Sequence, residues 1–169
     1  MKIFIHGLES SNQGPKAIFF KERFPDMVIP HFTGELPERM GKLRETLKGS
    51  SGIILAGSSF GGLMASLFAM EDEARVDRLI LLAPAINYLD SSGHRLKRLT
   101  VPVRIFHGTR DDVIPLEAVE AAADRYFSNL IFEKVDDDHF LHRTFEAIDW
   151  PILLGGDTRQ GTNFPERSA

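Results

Sequence analysis

Short apolar segments alternate with longer segments of helical periodicity along most of the chain. Most of the short segments are apolar at every position, which is typical of parallel strands that are covered on both faces. Alternating strands and helices favour a mainly parallel sheet with helices packed on it. The six predicted strands span residues 2–6, 27–30, 53–56, 78–83, 103–107 and 130–135.

The segments between the predicted strands carry helix signals. Pro15, Pro37 and Pro115 are at positions that suit the first turn of a helix. Residues 63–70 are apolar nearly all round, so we predict that this helix is the most buried one. A last helix is predicted over residues 140–150. Its apolar stripe consists of Leu141, Phe145 and Ile148.

Length and composition indicate one globular domain. The chain has 169 residues, of which 43% are hydrophobic, enough to build a core without disulfides. We predict that residues 1–154 form this domain and that the polar, aperiodic residues 155–169 form a loose tail. The absence of cysteine excludes thiolate catalysis and cysteine-ligated zinc.

Charge and hydropathy exclude several further classes of function. A net charge of -4 argues against a nucleic-acid binder, which needs clustered positive charge. No segment approaches the roughly 20 apolar residues of a membrane span, and the amino-terminal apolar run is short for a secretory signal. We therefore expect a cytoplasmic protein. The acidic runs 111–112 and 136–138 lack a ligand repeat, so we expect neither a metal nor another cofactor.

The first chemical motif is Gly57-Ser58-Ser59-Phe60-Gly61, which follows a predicted strand and opens the apolar helix. In such a tight strand-to-helix turn the central serine adopts a strained backbone and projects its hydroxyl above the sheet edge. The first free N–H groups of the helix point to the same place, where they can stabilise an oxyanion. The motif predicts Ser59 as a nucleophile and the Phe60 amide as an oxyanion donor.

A serine nucleophile needs a base and a group that orients the base. His139 follows one predicted strand, and the adjacent carboxylates Asp111 and Asp112 follow another. These strand ends meet at the carboxyl edge of an α/β sheet, so we expect Ser59, His139 and one of these carboxylates to converge. His142, one helical turn after His139, is an alternative base.

The sequence resembles the α/β-hydrolase superfamily, and within it the small, lidless bacterial esterases of the YqiA kind. Three motifs carry the resemblance: His6-Gly7-Leu8 after the first strand, the turn at Ser59, and Gly108-x-x-Asp111 followed by Asp138-His139. The likeness spans residues 1 to about 150. It implies the small α/β-hydrolase fold, with a mainly parallel six-stranded sheet flanked by helices on both faces. The implied strand order is 4-3-5-6-7-8 in the family's numbering.

The resemblance also assigns roles to individual residues. It implies that Asp111, rather than Asp112, is the triad acid and that the Leu8 amide joins the Phe60 amide in the oxyanion hole. His6 and His107, each before a glycine at a strand end, are predicted to be structural or to support the site. The segment of residues 85–100, where many relatives carry a lid, is short, which argues against an interfacial lipase.

These residues predict a serine hydrolase that cleaves small, short-acyl carboxylic esters through an acyl-enzyme. The expected partner is a small-molecule ester or thioester. A thioesterase or another acyl hydrolase would use the same residues, and a binding or scaffold protein with little turnover would use the same fold. Loop residues Glu9, Ser10 and Tyr88 are predicted to line the substrate pocket.

Overall fold

The computed structural model describes residues 1–155, and a single parallel sheet of six strands forms its centre. The order β2-β1-β3-β4-β5-β6 is the order that the family resemblance implies, and every neighbouring pair is parallel. The predicted fold class is therefore confirmed. Residues 156–169 of the predicted tail lie outside the described residues. The strands are β1 (Lys2–Ile5), β2 (Met27–Val28), β3 (Ile53–Ser58), β4 (Val76–Leu82), β5 (Val103–Gly108) and β6 (Leu130–Val135).

Five α-helices connect or cover these strands: α1 (Pro15–Arg23), α2 (Leu36–Thr46), α3 (Phe60–Glu71), α4 (Leu116–Tyr126) and α5 (Trp150–Leu153). Helix α3 is buried from Gly61 through Met70, as its all-round apolar sequence predicts. Pro15 and Pro37 lie in the first turns of α1 and α2, whereas Pro115 lies one residue before α4. No helix within the part of the chain described here has the length and apolarity to cross a lipid bilayer.

Apolar side chains cover both faces of the sheet. Successive residues of a strand point to opposite faces, so Ile3 and Ile5 of β1 join one core cluster while Phe4 between them joins the other. The first cluster lies under α2, α3 and α4, and the second packs against α1 and the chain that follows β6. Burial on two sides explains why the strand segments are continuously apolar.

The predicted helix over residues 140–150 is wrong. That region contains turns, a single 3-10 turn over Phe145–Ala147 and the short helix α5. Leu141 has a φ of +55°, which interrupts helical geometry. The buried carboxylate of Asp137 accepts the backbone N–H groups of Arg143 and Thr144, so these amides bond to a side chain instead of a preceding helical turn.

The apolar stripe that suggested the helix is nevertheless buried. Leu141, Phe145 and Ile148 belong to the second core cluster, where Phe145 packs against Phe20 and Trp150. The apolar stripe correctly predicts which side chains are buried in the core, although turns rather than a helix place them there.

Candidate active site

The turn at Ser59 joins β3 to α3 at the carboxyl edge of the sheet. Ser59 has φ +53° and ψ −117°, a strained conformation for a residue with a side chain. The backbone passes so close to neighbouring backbone atoms here that both flanking positions must be glycine. A Cβ on Gly57 would lie 2.4 Å from the Gly61 oxygen, and a Cβ on Gly61 would lie 2.0 Å from the Ile5 oxygen. Ser59 N–H donates to the Leu82 carbonyl at 2.9 Å, which ties the strained turn to β4.

Ser59, His139 and Asp111 lie in one hydrogen-bonded line. Ser59 Oγ is 3.1 Å from His139 Nε2, and His139 Nδ1 is 2.8 Å from Asp111 Oδ2. Because a carboxylate can only accept, Nδ1 carries the proton and Nε2 is free to accept from the serine hydroxyl. The other Asp111 oxygen, Oδ1, accepts the N–H groups of Val113 and Ile114 at 2.9 and 2.8 Å.

Neither alternative residue takes part in this line. Asp112 is exposed, and within residues 1–155 its carboxylate forms no hydrogen bond or ion pair. His142 is bonded through Nδ1 to Asp138 Oδ2 at 2.7 Å, and its side chain is 70% exposed. The structure thus brings together the three side chains that the resemblance implies.

Two buried histidines, His6 and His107, bond to backbone groups next to these three side chains. His6 donates from Nδ1 to the Gly7 oxygen at 2.8 Å and accepts the Phe32 N–H at Nε2. His107 Nε2 lies 3.0 Å from the Ile114 oxygen and 3.3 Å from Asp111 Oδ2. Burial lowers the pKa of both imidazoles from the usual value, which keeps them neutral near pH 7.

The Leu8 and Phe60 amides flank the serine. Leu8 follows Gly7, which lies close to the serine: a Cβ added to Gly7 would be 4.0 Å from Ser59 Oγ. Phe60 follows Ser59 directly and is the first residue of α3. Within the described residues neither amide donates a hydrogen bond, so both N–H groups are free for a ligand. The first turn of a helix adds its positive dipole end to the same region.

A cleft of about 750 Å³ opens above Ser59 and His139. Glu9, Ser10 and Tyr88 line it. Four large apolar side chains at its mouth, which we name the apolar rim, are each more than half exposed. The apolar rim consists of Leu8, Tyr88, Val113 and Phe140.

Sequence reasoning missed two charged residues of the cleft wall, the exposed Glu146 and the half-buried Lys16. Lys16 Nζ donates to the Phe140 oxygen at 2.5 Å and lies 5.4 Å from the Phe145 ring centre. Burial lowers the pKa of Lys16 from the usual lysine value. The one sequence feature that could have predicted Lys16 at the site is its position in the first turn of the helix that follows the loop after β1. No cluster of three or more His, Asp or Glu side chains suited to a metal ion occurs in residues 1–155.

Comparison with known proteins gives similarity at the level of three-dimensional structure. No protein-family model and no curated protein sequence matches the chain. The structure is similar to that of α/β hydrolase domain-containing protein 10 from mouse, with a TM-score of 0.69 and 20% identity over 82% of this chain and 81% of the mouse chain. It is also similar to Est1E from Butyrivibrio proteoclasticus with bound ferulic acid, with a TM-score of 0.68 and 19% identity over 86% of this chain and 83% of that one.

A third structure has a higher sequence identity. A protein of the α/β hydrolase superfamily from Xanthomonas campestris pv. campestris is 27% identical over 86% of this chain and 91% of its own, with a TM-score of 0.66. All three superpose on most of this chain, with TM-scores of 0.66 to 0.69. The chain therefore has the α/β-hydrolase fold.

Proposed function

We propose that this protein is a serine hydrolase that cleaves small, short-acyl carboxylic esters, with Ser59 as nucleophile, His139 as base and Asp111 as the orienting acid. One observation carries the proposal: the Ser59 hydroxyl, the His139 imidazole and the Asp111 carboxylate form a continuous hydrogen-bonded line that opens into a cleft. The fold, which it shares with Est1E and with the α/β-superfamily protein from Xanthomonas campestris pv. campestris, supports it.

The first half of the proposed reaction forms an acyl-enzyme. Ser59 Oγ attacks the ester carbonyl carbon while its proton moves to His139 Nε2. Asp111 stabilises the resulting imidazolium through the Nδ1 hydrogen bond. The carbonyl oxygen becomes an oxyanion and accepts hydrogen bonds from the free Leu8 and Phe60 amides. The C–O bond to the alcohol then breaks, and His139 gives its proton to the leaving oxygen.

The second half releases the acid. A water molecule loses a proton to His139 Nε2 and attacks the acyl carbon, and the same two amides hold the second oxyanion. When the bond to Ser59 breaks, His139 returns the proton to Ser59 Oγ and a carboxylic acid leaves. The serine hydroxyl, the imidazole, the Asp111 carboxylate and the two backbone amides supply every protein group in these steps, so the proposed reaction needs no metal or cofactor.

The short segment after β4 supports a small substrate. Residues 83–102 contain one 3-10 helix, Ile86–Ser91, an isolated β-bridge at Leu99 and otherwise irregular chain, in place of a helical lid. The cleft volume of about 750 Å³ falls in the range of small-molecule sites. Within residues 1–155, no covering domain separates Ser59 from an ester dissolved in water.

Ser59→Ala tests the proposal, because it removes the attacking oxygen without adding volume. We expect kcat on a short-acyl nitrophenyl ester to fall by about 10⁴-fold or more, and labelling by a fluorophosphonate probe to disappear. The neighbouring Ser58 is the matched control: Ser58→Ala should keep the label on Ser59 and keep kcat within about threefold, because its hydroxyl forms no hydrogen bond in residues 1–155. Unchanged ester hydrolysis by folded Ser59→Ala would disprove the proposal.

A further inference from the structure

We infer that Arg39 is a positioning residue for the oxyanion hole, because its buried guanidinium contacts both Leu8 and Phe60. The inference rests on the proposed function, in which the amides of these two residues hold the oxyanion. Arg39 does not line the cleft and is assigned no contact with the substrate.

Arg39 reaches the site from α2, behind the loop that follows β1. Its Nη2 donates to the Leu8 oxygen at 3.2 Å, and its Nε donates to the Gly34 oxygen at 2.8 Å. The centre of the guanidinium lies 5.6 Å from the centre of the Phe60 ring, within the range of a cation–π contact. One side chain therefore touches both residues whose amides flank Ser59.

The Leu8 amide needs outside support, because the Leu8 side chain is 51% exposed and cannot fix the loop by packing. Two peptide groups flank the Leu8 Cα. His6 holds the first through the Gly7 oxygen, and Arg39 holds the second through the Leu8 oxygen. With both peptide planes fixed, the Leu8 N–H keeps its direction before a substrate arrives, and preorganised donors are the ones that stabilise a transition state best.

The charge of Arg39 is also unusual in its setting. The residue is only 4% exposed, its Nη1 has no hydrogen-bond partner, and no carboxylate within residues 1–155 forms an ion pair with it. A buried cation without a counter-ion destabilises a fold. We therefore infer that Arg39 is present for its function. Negative charge develops next to Leu8 and Phe60 in the transition state, and a nearby positive charge favours that state over the neutral ester.

Arg39→Met tests the inference, since methionine keeps an unbranched apolar stem but removes the charge and the donors. We expect kcat to fall about tenfold or more with KM within about threefold, a loss smaller than that of a direct oxyanion donor. Binding of a boronic acid, which becomes a tetrahedral anion on Ser59, should weaken by a similar factor. If Arg39 only packs in the fold, Arg39→Met would lower the Tm and leave the ratio of boronic-acid affinity to substrate affinity unchanged, which would contradict the inference.

Arg75 offers a matched control away from the cleft. Its Nε donates to the Ser50 oxygen at 2.7 Å, its Nη2 donates to the Leu47 oxygen, and its guanidinium lies 5.5 Å from the Phe68 ring centre. Arg75→Met therefore removes the same kinds of contacts and, in addition, an ion pair with Asp72 at 3.3 Å. We expect it to lower the Tm but to leave kcat and boronic-acid affinity at the wild-type values.

Arg39→Lys provides a second variant in case Arg39→Met does not fold. Lysine keeps the charge but lacks the planar fork that reaches the Gly34 and Leu8 oxygens together, so we expect a smaller loss of kcat, about threefold to tenfold. If the Arg39 variants that fold keep the wild-type kcat and the wild-type affinity for the boronic acid, the inference about Arg39 is wrong, and the proposed function still stands. A wild-type protein that neither hydrolyses esters nor reacts with a fluorophosphonate would overturn the proposed function as well.

Discussion

Two aspartate–histidine pairs lie at the same cleft and differ in their surroundings. His139 and Asp111 are joined at 2.8 Å, and His142 and Asp138 are joined at 2.7 Å. The Asp111 side chain is fully buried, whereas the Asp138 side chain is 42% exposed. Only His139 has a serine hydroxyl at its other ring nitrogen. An aspartate–histidine hydrogen bond by itself therefore does not distinguish a candidate catalytic pair from a surface pair.

The surrounding donors explain the difference. Asp111 accepts two backbone N–H groups at Oδ1, and its Oδ2 faces the imidazoles of His139 and His107, so the buried carboxylate is fully bonded and held in one orientation. Water competes for the exposed pair, and such pairs contribute only about 0 to 1 kcal/mol. Burial holds the Asp111–His139 pair in one orientation, whereas the His142–Asp138 pair is exposed to water.

The largest effect should separate the two histidines. His139→Ala removes the proposed base, and we expect kcat for ester hydrolysis to fall by about 10⁴-fold or more. His142→Ala removes an exposed imidazole whose one hydrogen-bond partner within residues 1–155 is Asp138, and we expect kcat to change by less than about threefold. Steady-state kinetics of the two purified variants make the comparison. Comparable losses in both would mean that the surface pair takes part in the reaction.

A smaller effect should separate the two aspartates. Asp111→Asn leaves the volume unchanged but presents an amide to His139 Nδ1, which favours the wrong imidazole tautomer, and we expect kcat to fall about 10³- to 10⁴-fold. Asp138→Asn should lower kcat by less than about threefold, because its carboxylate contacts the Phe140 N–H and the exposed His142. Equal kinetics of Asp111→Asn and wild type would remove Asp111 from the proposed mechanism.

The smallest effect concerns Asp137, which precedes both histidines and fixes the loop that carries them. Burial alone would raise its pKa, but N–H donors from Asp138, Thr144 and Arg143 outweigh that effect and lower the pKa below the usual 3.8. Because the pKa is lower in the folded state, this carboxylate stabilises the fold above pH 3.8, and the contribution is lost as pH falls through the lowered value.

We therefore expect Asp137→Asn to lower the free energy of unfolding by about 2 kcal/mol at pH 7, the scale of hydrogen bonds to a charged group. The gap between wild type and variant should narrow below pH 3.8. Urea unfolding of both proteins at neutral and acidic pH measures this gap. A gap that stays constant with pH would show that the charge of Asp137 does not stabilise the loop.

Much of the fold could be predicted because the relevant signals are local. Continuous apolar runs mark strands covered on two faces, and the glycines around Ser59 mark a turn that no larger residue fits. The structure places Ser59, His139 and Asp111 in contact as the sequence analysis expects, and their catalytic roles stay a prediction. Choosing between Asp111 and Asp112 needed the family resemblance, because adjacent aspartates look alike until the burial of each is known.

The features that sequence reasoning missed depend on contacts between distant segments. Arg39 lies on a largely polar helix, and its burial comes from the loops of Gly34 and Leu8 that close over it. The helix expected over residues 140–150 is replaced by turns because the Asp137 carboxylate binds two amides six and seven residues later. Neither contact leaves a periodic trace in the sequence.

The apolar rim offers a way to change the substrate preference of the proposed hydrolase. Its four residues lie in four separate connections, after β1, β4, β5 and β6, and each side chain is more than half exposed. Replacing them opens no void in either core cluster, so saturation libraries at these positions can sample new selectivity with little loss of thermal tolerance. The α/β scaffold beneath would remain a constant platform for such directed evolution.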